Sequence, residues 1–214
     1  MDREEAGRLL ADAVARLHLV DPVVLALPRG GVPVALAVAL RLHAPLDLLL
    51  VRKIGAPWQP ELALAAVVDG AQPQVVIDEE TFAASGVDRA WIDEQAQIEL
   101  AEIERRRRKY LRGRAPVPLR GKSAIVVDDG IATGTSMKAA LKALAALGPA
   151  RSVLAVPVAP ADTLDQLRPL VDDVVCLSQP DFFHAVGVHY RDFHQLDDDE
   201  VVTLLDAATA KPAP

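Results

Sequence analysis

Several short apolar runs rich in β-branched residues are each followed by a loop and then by a helical pattern. Runs that are apolar throughout are typical of parallel strands buried between helices. The alternation therefore predicts an α/β fold with a parallel core sheet of about five strands and helices on both faces. Helical patterns cover 32–42 and continue from Gly134 to Leu147. The predicted strands are Val23–Leu27, Asp47–Val51, Ser123–Asp128, Ser152–Pro157 and Val174–Leu177.

Length and composition limit the class of protein. A chain of 214 residues is long enough to bury its own core, and we expect one domain over residues 1–214. Hydrophobic residues make up 51% and charged residues 25%, which excludes disordered and fibrous classes. The net charge of −7 argues against a nucleic-acid partner, and the single cysteine, Cys176, excludes an internal disulfide.

The chain shows no targeting or membrane signal. It starts MDREEAGRLL, which is acidic where a secretory signal would be basic. The most apolar stretch, 23–40, is interrupted by Pro28, Arg29 and Pro33 and does not read as a membrane span. We therefore expect a cytoplasmic protein with no membrane partner.

Two regions interrupt the alternation of strands and helices. From Leu62 to Asp78, strand-like runs flank Asp69-Gly70 and Pro73, which predicts a β-hairpin. From 88 to 112 a long helix is expected, with glutamates four residues before two arginines of the RRRRK run at 105–109. We interpret this run as the solvated, positive end of that helix, because no aromatic residues are interleaved to stack on bases.

The most informative stretch is AIVVDDGIATGTSM, Ala124–Met137. It places Asp128 and Asp129 at the carboxyl end of a strand, where open α/β sheets bind ligands. The loop after these aspartates opens a helix, and free amides at a helix start favour an anion. A ribose 5-phosphate would satisfy both features, with hydroxyls on the carboxylates and phosphate on the amides. The alternative is that the aspartates merely cap the next helix.

This stretch resembles the phosphoribosyl diphosphate (PRPP) signature of type I phosphoribosyltransferases. The resemblance implies the type I fold with a small hood or hairpin subdomain. It also implies that Asp128 and Asp129 hold the ribose hydroxyls, contribute to catalysis and serve as metal ligands. By the same match, the 5-phosphate would be bound by the loop residues Ala132, Thr133, Gly134, Thr135 and Ser136.

Further segments extend the resemblance. LPRGG follows the first strand, where the family has its pyrophosphate loop, so Arg29, Gly30 and Gly31 are expected to meet the diphosphate. The alternative is a tight turn with a solvated arginine. Arg52 and Lys53 would end the second strand and act on the leaving group, ahead of a mobile loop at about 54–80. Solvated charges at a strand end are the alternative.

The sequence defines the acceptor site less clearly than the PRPP site. Aromatic and imidazole residues concentrate between 180 and 196, where we expect a hood for a flat ring or, alternatively, a local core. In the 6-oxopurine enzymes an aspartate stands where this chain has Ala132, so adenine-like, pyrimidine or other acceptors remain open. The acceptor residues proposed from this segment are Phe182, Phe183 and Tyr190, with His184, His189, Phe193 and His194 as neighbours.

The resemblance favours an enzyme over two other classes. We expect a Mg²⁺-dependent transferase that uses PRPP and a nitrogen acceptor and forms a homodimer. A PRPP sensor without catalysis is the alternative, although no DNA-binding motif is present. A metal hydrolase built on Asp128 and Asp129 would leave the TGTS loop unexplained, and the histidines lack a cysteine pair for zinc.

Overall fold

A computed structural model describes residues 1–69 and 73–209. The strands are β1 (Pro22–Ala26), β2 (Leu46–Leu48), β3 (Val51–Ala56), β4 (Gln59–Val68), β5 (Gln74–Ile77), β6 (Ser123–Val127), β7 (Arg151–Val158) and β8 (Asp173–Ser178). The α-helices are α1 (Arg3–Ala15), α2 (Gly31–Leu42), α3 (Glu79–Ser85), α4 (Arg89–Leu111), α5 (Thr135–Ala146), α6 (Ala161–Leu167) and α7 (Asp198–Thr209). The main sheet is parallel, with five strands in the order β2-β1-β6-β7-β8, and a second sheet has three antiparallel strands in the order β3-β4-β5.

Side chains of the main strands alternate between two apolar layers. Ala124 and Val126 of β6 pack in the layer that α5 and α6 cover. Ile125 and Val127 pack in the opposite layer, beneath α1, α2 and α7. Helices therefore cover both faces of the sheet, as the uninterrupted apolar runs predict. The predicted helices at 32–42 and after Gly134 correspond to α2 and α5.

The second predicted strand, Asp47–Val51, has the wrong bounds. The prediction that Arg52 and Lys53 follow the end of a core strand is also wrong. The core strand β2 ends at Leu48, and the next two leucines are buried in the crossover to the second sheet. Burial in this crossover explains why the apolar run continues beyond the strand. Arg52 and Lys53 accordingly lie inside β3 and do not end a core strand.

The predicted hairpin is confirmed and forms part of the second sheet. β4 and β5 pair antiparallel, with Val68 opposite Gln74, and residues 70–72 lie outside the described residues. The region predicted as a mobile loop, 54–80, is therefore occupied largely by strands and by the first turn of α3. The described part of this region thus forms an antiparallel ribbon, and its mobility remains a prediction.

The long helix α4 joins the second sheet to the main body. Ile92, Ala96 and Ile103 are buried on one side of it, as their helical spacing predicts. On its outer side Glu102 receives the guanidinium of Arg106 at 2.7 Å, one of the two predicted pairs four residues apart. The helix thus has one packed face and one face held by ion pairs.

Arg107 corrects the interpretation of the RRRRK run as solvated. Its guanidinium forms an ion pair with Asp69, just beyond β4, and the two side chains are 16% and 6% exposed. It also donates to the carbonyl oxygen of Arg114 at 3.4 Å. One arginine of the run therefore connects α4 to the second sheet from a largely buried position.

The last helix, α7, was not predicted from the sequence. Val201, Val202 and Leu205 are buried against α2 and β2. Its start is held by a reciprocal capping pair, because Glu200 N–H donates to the Asp197 carboxylate and Asp197 N–H donates to the Glu200 carboxylate, each at 2.8 Å. Within the described residues no helix combines the length and the hydropathy that crossing a bilayer requires.

Removing the Arg107 guanidinium is expected to destabilise the fold. Arg107→Met removes the guanidinium that pairs with the buried Asp69 carboxylate, and loss of one partner costs about 3–5 kcal/mol in typical buried pairs. Arg108→Met is the matched control, since Arg108 is 71% exposed and 3.6 Å from Glu104. Its expected cost is below about 0.5 kcal/mol. Urea unfolding of both variants measures the difference, and equal free energies of unfolding would contradict the buried pair's role.

Candidate functional site

The carboxyl ends of β1 and β6 bring two predicted loops together. Ala26 pairs with Val127, and Leu27 N–H donates to the carbonyl oxygen of Val127 at 2.9 Å. The chain leaves both strands at the same level, so the 27–31 loop and the 128–134 loop share one edge of the sheet. The peptide bond between Pro28 and Arg29 in the first loop is cis.

The two glycines of the first loop allow this close approach. A Cβ atom added to Gly30 would lie 2.2 Å from Asp129 Oδ2, and one added to Gly31 would lie 2.7 Å from the carbonyl oxygen of Val127. A side chain at position 30 would displace the Asp129 carboxylate, and one at position 31 would displace the backbone at Val127 and Asp128. The glycine loop and the acidic pair therefore form one packed unit.

Of the two carboxylates in the acidic pair, Asp129 is buried and Asp128 is partly exposed. Asp128 Oδ1 accepts from Asp129 N–H at 2.9 Å. Burial, followed by the negative charge of Asp129, raises the pKa of Asp128 well above its ordinary value. Burial also raises the pKa of Asp129, although a hydrogen bond from Arg3 and the charge of Arg3 oppose that shift. The pair is therefore costly to ionise without a cation beside it.

Arg3 is a site residue that the sequence analysis missed. Its Nε donates to Asp129 Oδ2 at 2.9 Å, and the residue is only 8% exposed. It stands at the start of α1, 126 residues away from its partner in the chain. No local motif marks such a pairing, so only the fold reveals it.

The predicted phosphate loop forms the start of α5. Gly134 has a φ of +74° and precedes the helix, a conformation that glycine adopts without strain. The hydroxyls of Thr133 and Thr135 lie 3.4 Å apart, and Thr133 and Ser136 are exposed. The carbonyl oxygen of Ala132 accepts from the Thr163 hydroxyl at 3.0 Å, which fixes the loop to α6. The loop therefore presents hydroxyls and a helix start towards solvent, an arrangement suited to an anion.

The two cations of β3 lie across a cavity from this loop. The cavity has a volume of about 480 Å³, and its lining includes Leu27, Arg52, Lys53 and Ser136. Arg52 Nε pairs with Glu99 Oε2 of α4 at 2.6 Å. The second sheet thus delivers positive charge to the neighbourhood of the phosphate loop and of the end of β1, although its strands differ from those predicted.

Arg29 faces the start of α7. Its Nη1 lies 3.9 Å from Asp198 Oδ1, which also accepts from the Tyr110 hydroxyl at 2.6 Å. Hydrogen bonds from Lys109 and Tyr110 lower the pKa of Asp198. Burial and the hydrogen bond to Asp198 raise the pKa of Tyr110 to about 12. Arg29 therefore forms only a long ion pair with Asp198, whose carboxylate already accepts hydrogen bonds from Lys109 and Tyr110.

The three predicted acceptor residues do not lie in one pocket. Phe182 is 84% exposed, whereas Phe183 stacks on His189 with ring centroids 5.1 Å apart. Tyr190 is buried, and its hydroxyl donates to the carbonyl oxygen of Asp129. Tyr190 also stacks on Phe193 at 5.2 Å. The segment thus builds a small local core in which Phe182 is the ring left outside.

The histidines do not form a metal site. His194 contacts Glu200 at 3.0 Å and Asp192 at 3.5 Å, and these contacts raise its pKa. His184 is exposed, and His189 Nε2 is buried with no hydrogen-bond partner among the described residues. Within residues 1–69 and 73–209, no cluster of His, Cys, Asp and Glu is suited to hold a metal ion by itself.

Fold and site together define a class of protein. A parallel α/β sheet carries, at one strand end, a carboxylate pair followed by an anion-binding helix start, with a glycine loop packed against the pair. This combination suits a phosphorylated sugar that offers hydroxyls and phosphate within one molecule.

Comparison with known proteins agrees with this class. A family model described as a phosphoribosyl transferase domain matches residues 3–193, and the chain belongs to that family. Membership confirms the resemblance of the sequence to phosphoribosyltransferases.

The chain is similar in sequence to two curated proteins and in structure to a solved crystal structure. Two Mycobacterium tuberculosis proteins, from strains CDC 1551 and H37Rv and provisionally named phosphoribosyl transferases, are each 48% identical over 208 residues. That match covers 97% of this chain and 46% of theirs, so the chain spans about half the length of these relatives. The crystal structure of TT1426 from Thermus thermophilus is similar with a TM-score of 0.87 and 43% identity, covering 95% of this chain and 96% of that one.

The raised pKa of Asp128 predicts a pH-dependent stability cost. The folded chain retains a proton on Asp128 at pH values where the unfolded chain has lost it, so stability falls as pH rises between the two pKa values. Asp128→Asn removes this titration and keeps an acceptor oxygen for Asp129 N–H. We expect the variant to have a higher Tm than the parent at pH 8 and nearly the same Tm at pH 4.

Thermal unfolding across this pH range measures the effect. Asp181→Asn serves as the control because Asp181 is exposed. A Tm gain for Asp128→Asn that is absent at pH 8, or equal at both pH values, would show that Asp128 is not held in a poorly hydrated environment.

Proposed function

We propose that the chain is a Mg²⁺-dependent phosphoribosyltransferase that uses PRPP. It transfers the 5-phosphoribosyl group to a nitrogen acceptor and releases pyrophosphate. The observation that carries this proposal is the continuous segment from Asp128 to Ser136, in which a carboxylate is followed by an exposed helix start. Arg52 and Lys53 across the cavity from Ser136 support it, because a diphosphate leaving group needs cations.

In this proposal the loop binds the two ends of the ribose phosphate. The amides of Ala132–Ser136 and the hydroxyls of Thr133 and Thr135 receive the 5-phosphate. Asp128 accepts hydrogen bonds from the ribose hydroxyls, and ionisation of its carboxyl becomes easier once those donors replace the missing water. Asp129 does not bind the ribose in this proposal, because its carboxylate already accepts a hydrogen bond from Arg3.

The diphosphate is proposed to lie between the glycine loop and β3. Gly30 and Gly31 let backbone amides approach the phosphates, while Arg29, Arg52 and Lys53 offset the negative charge that grows on the leaving group. Arg29 is free to turn towards the diphosphate at little cost, because its contact with Asp198 is 3.9 Å long and partly exposed.

Mg²⁺ fits the donors of this site only when the substrate supplies part of its ligands. Asp128 offers a carboxylate oxygen, whereas Asp129 Oδ2 is occupied by the Arg3 guanidinium. Magnesium sites that use one or two carboxylates together with substrate phosphates are common. Bound there, the ion would neutralise charge on the diphosphate as the bond to the ribose loosens. We place Asp128 as its principal protein ligand.

The acceptor is proposed to be a flat nitrogen base or a related amine. Ala132 offers no carboxylate for proton transfer, which disfavours acceptors that need a base at that position. Phe182 is exposed beside the small aromatic core formed by Phe183, His189, Tyr190 and Phe193, and its ring is free to stack on a planar acceptor. Phe183 and Tyr190 act mainly by holding the tail in place. A homodimer is part of the proposal and rests on the family expectation, and a cytoplasmic location is proposed from the acidic first segment.

Phosphorus NMR of the protein with PRPP and Mg²⁺ tests the reaction. Adding a panel of nucleobases and simple amines should produce a pyrophosphate signal with the correct acceptor. A shifted or broadened PRPP signal without turnover for any acceptor would instead indicate a PRPP sensor. An unperturbed PRPP spectrum would contradict binding itself.

Lys53 provides a specific prediction for the leaving-group side. Lys53→Gln removes a cation that lines the cavity and is proposed to offset charge on the leaving group, so we expect kcat/KM for PRPP to fall about tenfold, which corresponds to about 1.4 kcal/mol. Arg89→Gln is the control, because Arg89 is exposed on α4 and pairs with Asp93. Steady-state kinetics measures both variants, and unchanged kinetics for Lys53→Gln would remove Lys53 from the site.

A further inference from the structure

Arg3 contacts two separate regions of the chain at once. Its Nε donates to Asp129 Oδ2 at 2.9 Å, and its Nη1 donates to the carbonyl oxygen of His194 at 3.0 Å. The guanidinium carbon lies 4.0 Å from the ring centroid of Phe193 and 5.9 Å from that of Tyr190. One buried side chain therefore contacts the acidic pair on one side and the aromatic tail on the other.

The aromatic tail, defined here as residues 183–194, reaches Asp129 by a second route. The Tyr190 hydroxyl donates to the backbone oxygen of Asp129, and Arg191 N–H donates to the carbonyl oxygen of Met1 at 2.9 Å. The tail is thus anchored to Asp129 through the backbone and, by way of Arg3, through the carboxylate. Movement of the tail would alter both contacts.

Asp129 has little freedom on its remaining side. Gly30 lies so close that a Cβ atom on it would be 2.2 Å from Asp129 Oδ2, and Asp129 N–H is used by Asp128. Arg3 and Gly30 therefore confine the carboxylate between them. The glycine loop therefore packs directly against this carboxylate.

We propose that Arg3 is a positioning residue that holds the Asp129 carboxylate and thereby links the aromatic tail to the PRPP-binding edge of the sheet. This inference rests on the proposed function. Arg3 touches neither ribose nor acceptor in this arrangement. It acts by fixing the group against which Asp128 and the glycine loop are packed.

The contacts require a guanidinium and not merely a positive charge. A planar guanidinium donates in two directions within its plane while its face stacks on an aromatic ring. A lysine ammonium has neither the flat face nor the same fork of donors. Arg3→Lys should therefore recover only part of what Arg3→Gln removes.

The experiment compares Arg3→Gln and Arg3→Lys in the full chain with Arg8→Gln as the control. Arg8 is on the same helix, and its pair with Glu4 is exposed. For Arg3→Gln we expect PRPP to bind about tenfold more weakly or worse, because one partner of a buried charge pair is lost. Calorimetry with Mg²⁺ measures Kd, and Arg3→Lys is expected between the parent and Arg3→Gln.

Hydrogen exchange provides a readout that does not depend on PRPP. Amides of residues 183–194 should exchange at least about tenfold faster in Arg3→Gln than in Arg8→Gln, because the tail loses its link to Asp129. Adding Asp129→Asn to Arg3→Gln removes the unpaired buried charge and should restore much of the thermal stability. That double variant should not recover PRPP affinity or slow tail exchange, which separates positioning from general stability.

Several results would overturn the inference. Parent-like PRPP affinity in Arg3→Gln would do so, as would unchanged tail exchange or full recovery of both by Arg3→Lys. If the parent protein fails to bind PRPP, the proposed function fails, and the exchange of residues 183–194 in Arg3→Gln then decides on the link between Arg3 and the tail by itself.

Discussion

Two adjacent carboxylates at the carboxyl end of β6 impose the main constraint on this structure. Asp128 and Asp129 follow the central strand at a point where the glycine loop packs against them, and partial or full burial raises the pKa of both. An ionised carboxylate in such surroundings lowers the free energy of unfolding unless a cation or hydrogen-bond donor pairs with it. The fold supplies one cation, Arg3, to Asp129 and leaves Asp128 with a backbone donor.

The rest of the site is arranged around that constraint. Glycine at positions 30 and 31 is required because the β1 loop packs directly on the acidic pair. The helix start at Thr135 follows the pair along the chain and presents hydroxyls and amides to solvent. Asp128 is therefore the group whose charge most depends on a bound ligand, and this dependence makes it costly for folding and useful for binding.

The second sheet has a separate part in the arrangement. It carries Arg52 and Lys53 to the cavity beside Ser136, and ion pairs of Arg52 with Glu99 and of Asp69 with Arg107 connect it to α4. Arg52 pairs with Glu99 near the cavity, whereas Arg107 pairs with Asp69 at the far end of β4. Because α4 is paired with the second sheet, Arg52 and Lys53 on β3 are held at a fixed position relative to the phosphate loop.

Much of this fold was predictable because its signals are local. Apolar runs followed by helical patterns gave four core strands to within one residue at either end, and the DDGIATGTS segment located the acidic pair and the helix start. The error at Asp47–Val51 arose because two buried leucines extend an apolar run into a crossover. Helix α7 carries a local capping signal between Asp197 and Glu200 that was overlooked.

The remaining site residues are defined only by contacts between distant parts of the chain. Arg3 lies in an acidic, helical first segment that resembles any solvated helix start. Its burial depends on α1 packing against the main sheet and on the tail folding over it. Similarly, the sequence of the tail is compatible with a ligand hood or with a local core. The burial of Tyr190 and its stacking on Phe193 in the structure favour a core for those rings.

A crystal structure of the chain with PRPP and Mg²⁺ tests the central claim most directly. We predict the 5-phosphate within hydrogen-bond distance of the amides of Thr133–Ser136, a ribose hydroxyl on Asp128, and Arg3 still bound to Asp129. PRPP bound away from this edge, or with its 5-phosphate on Arg52 and Lys53 and its diphosphate on the α5 start, would contradict it.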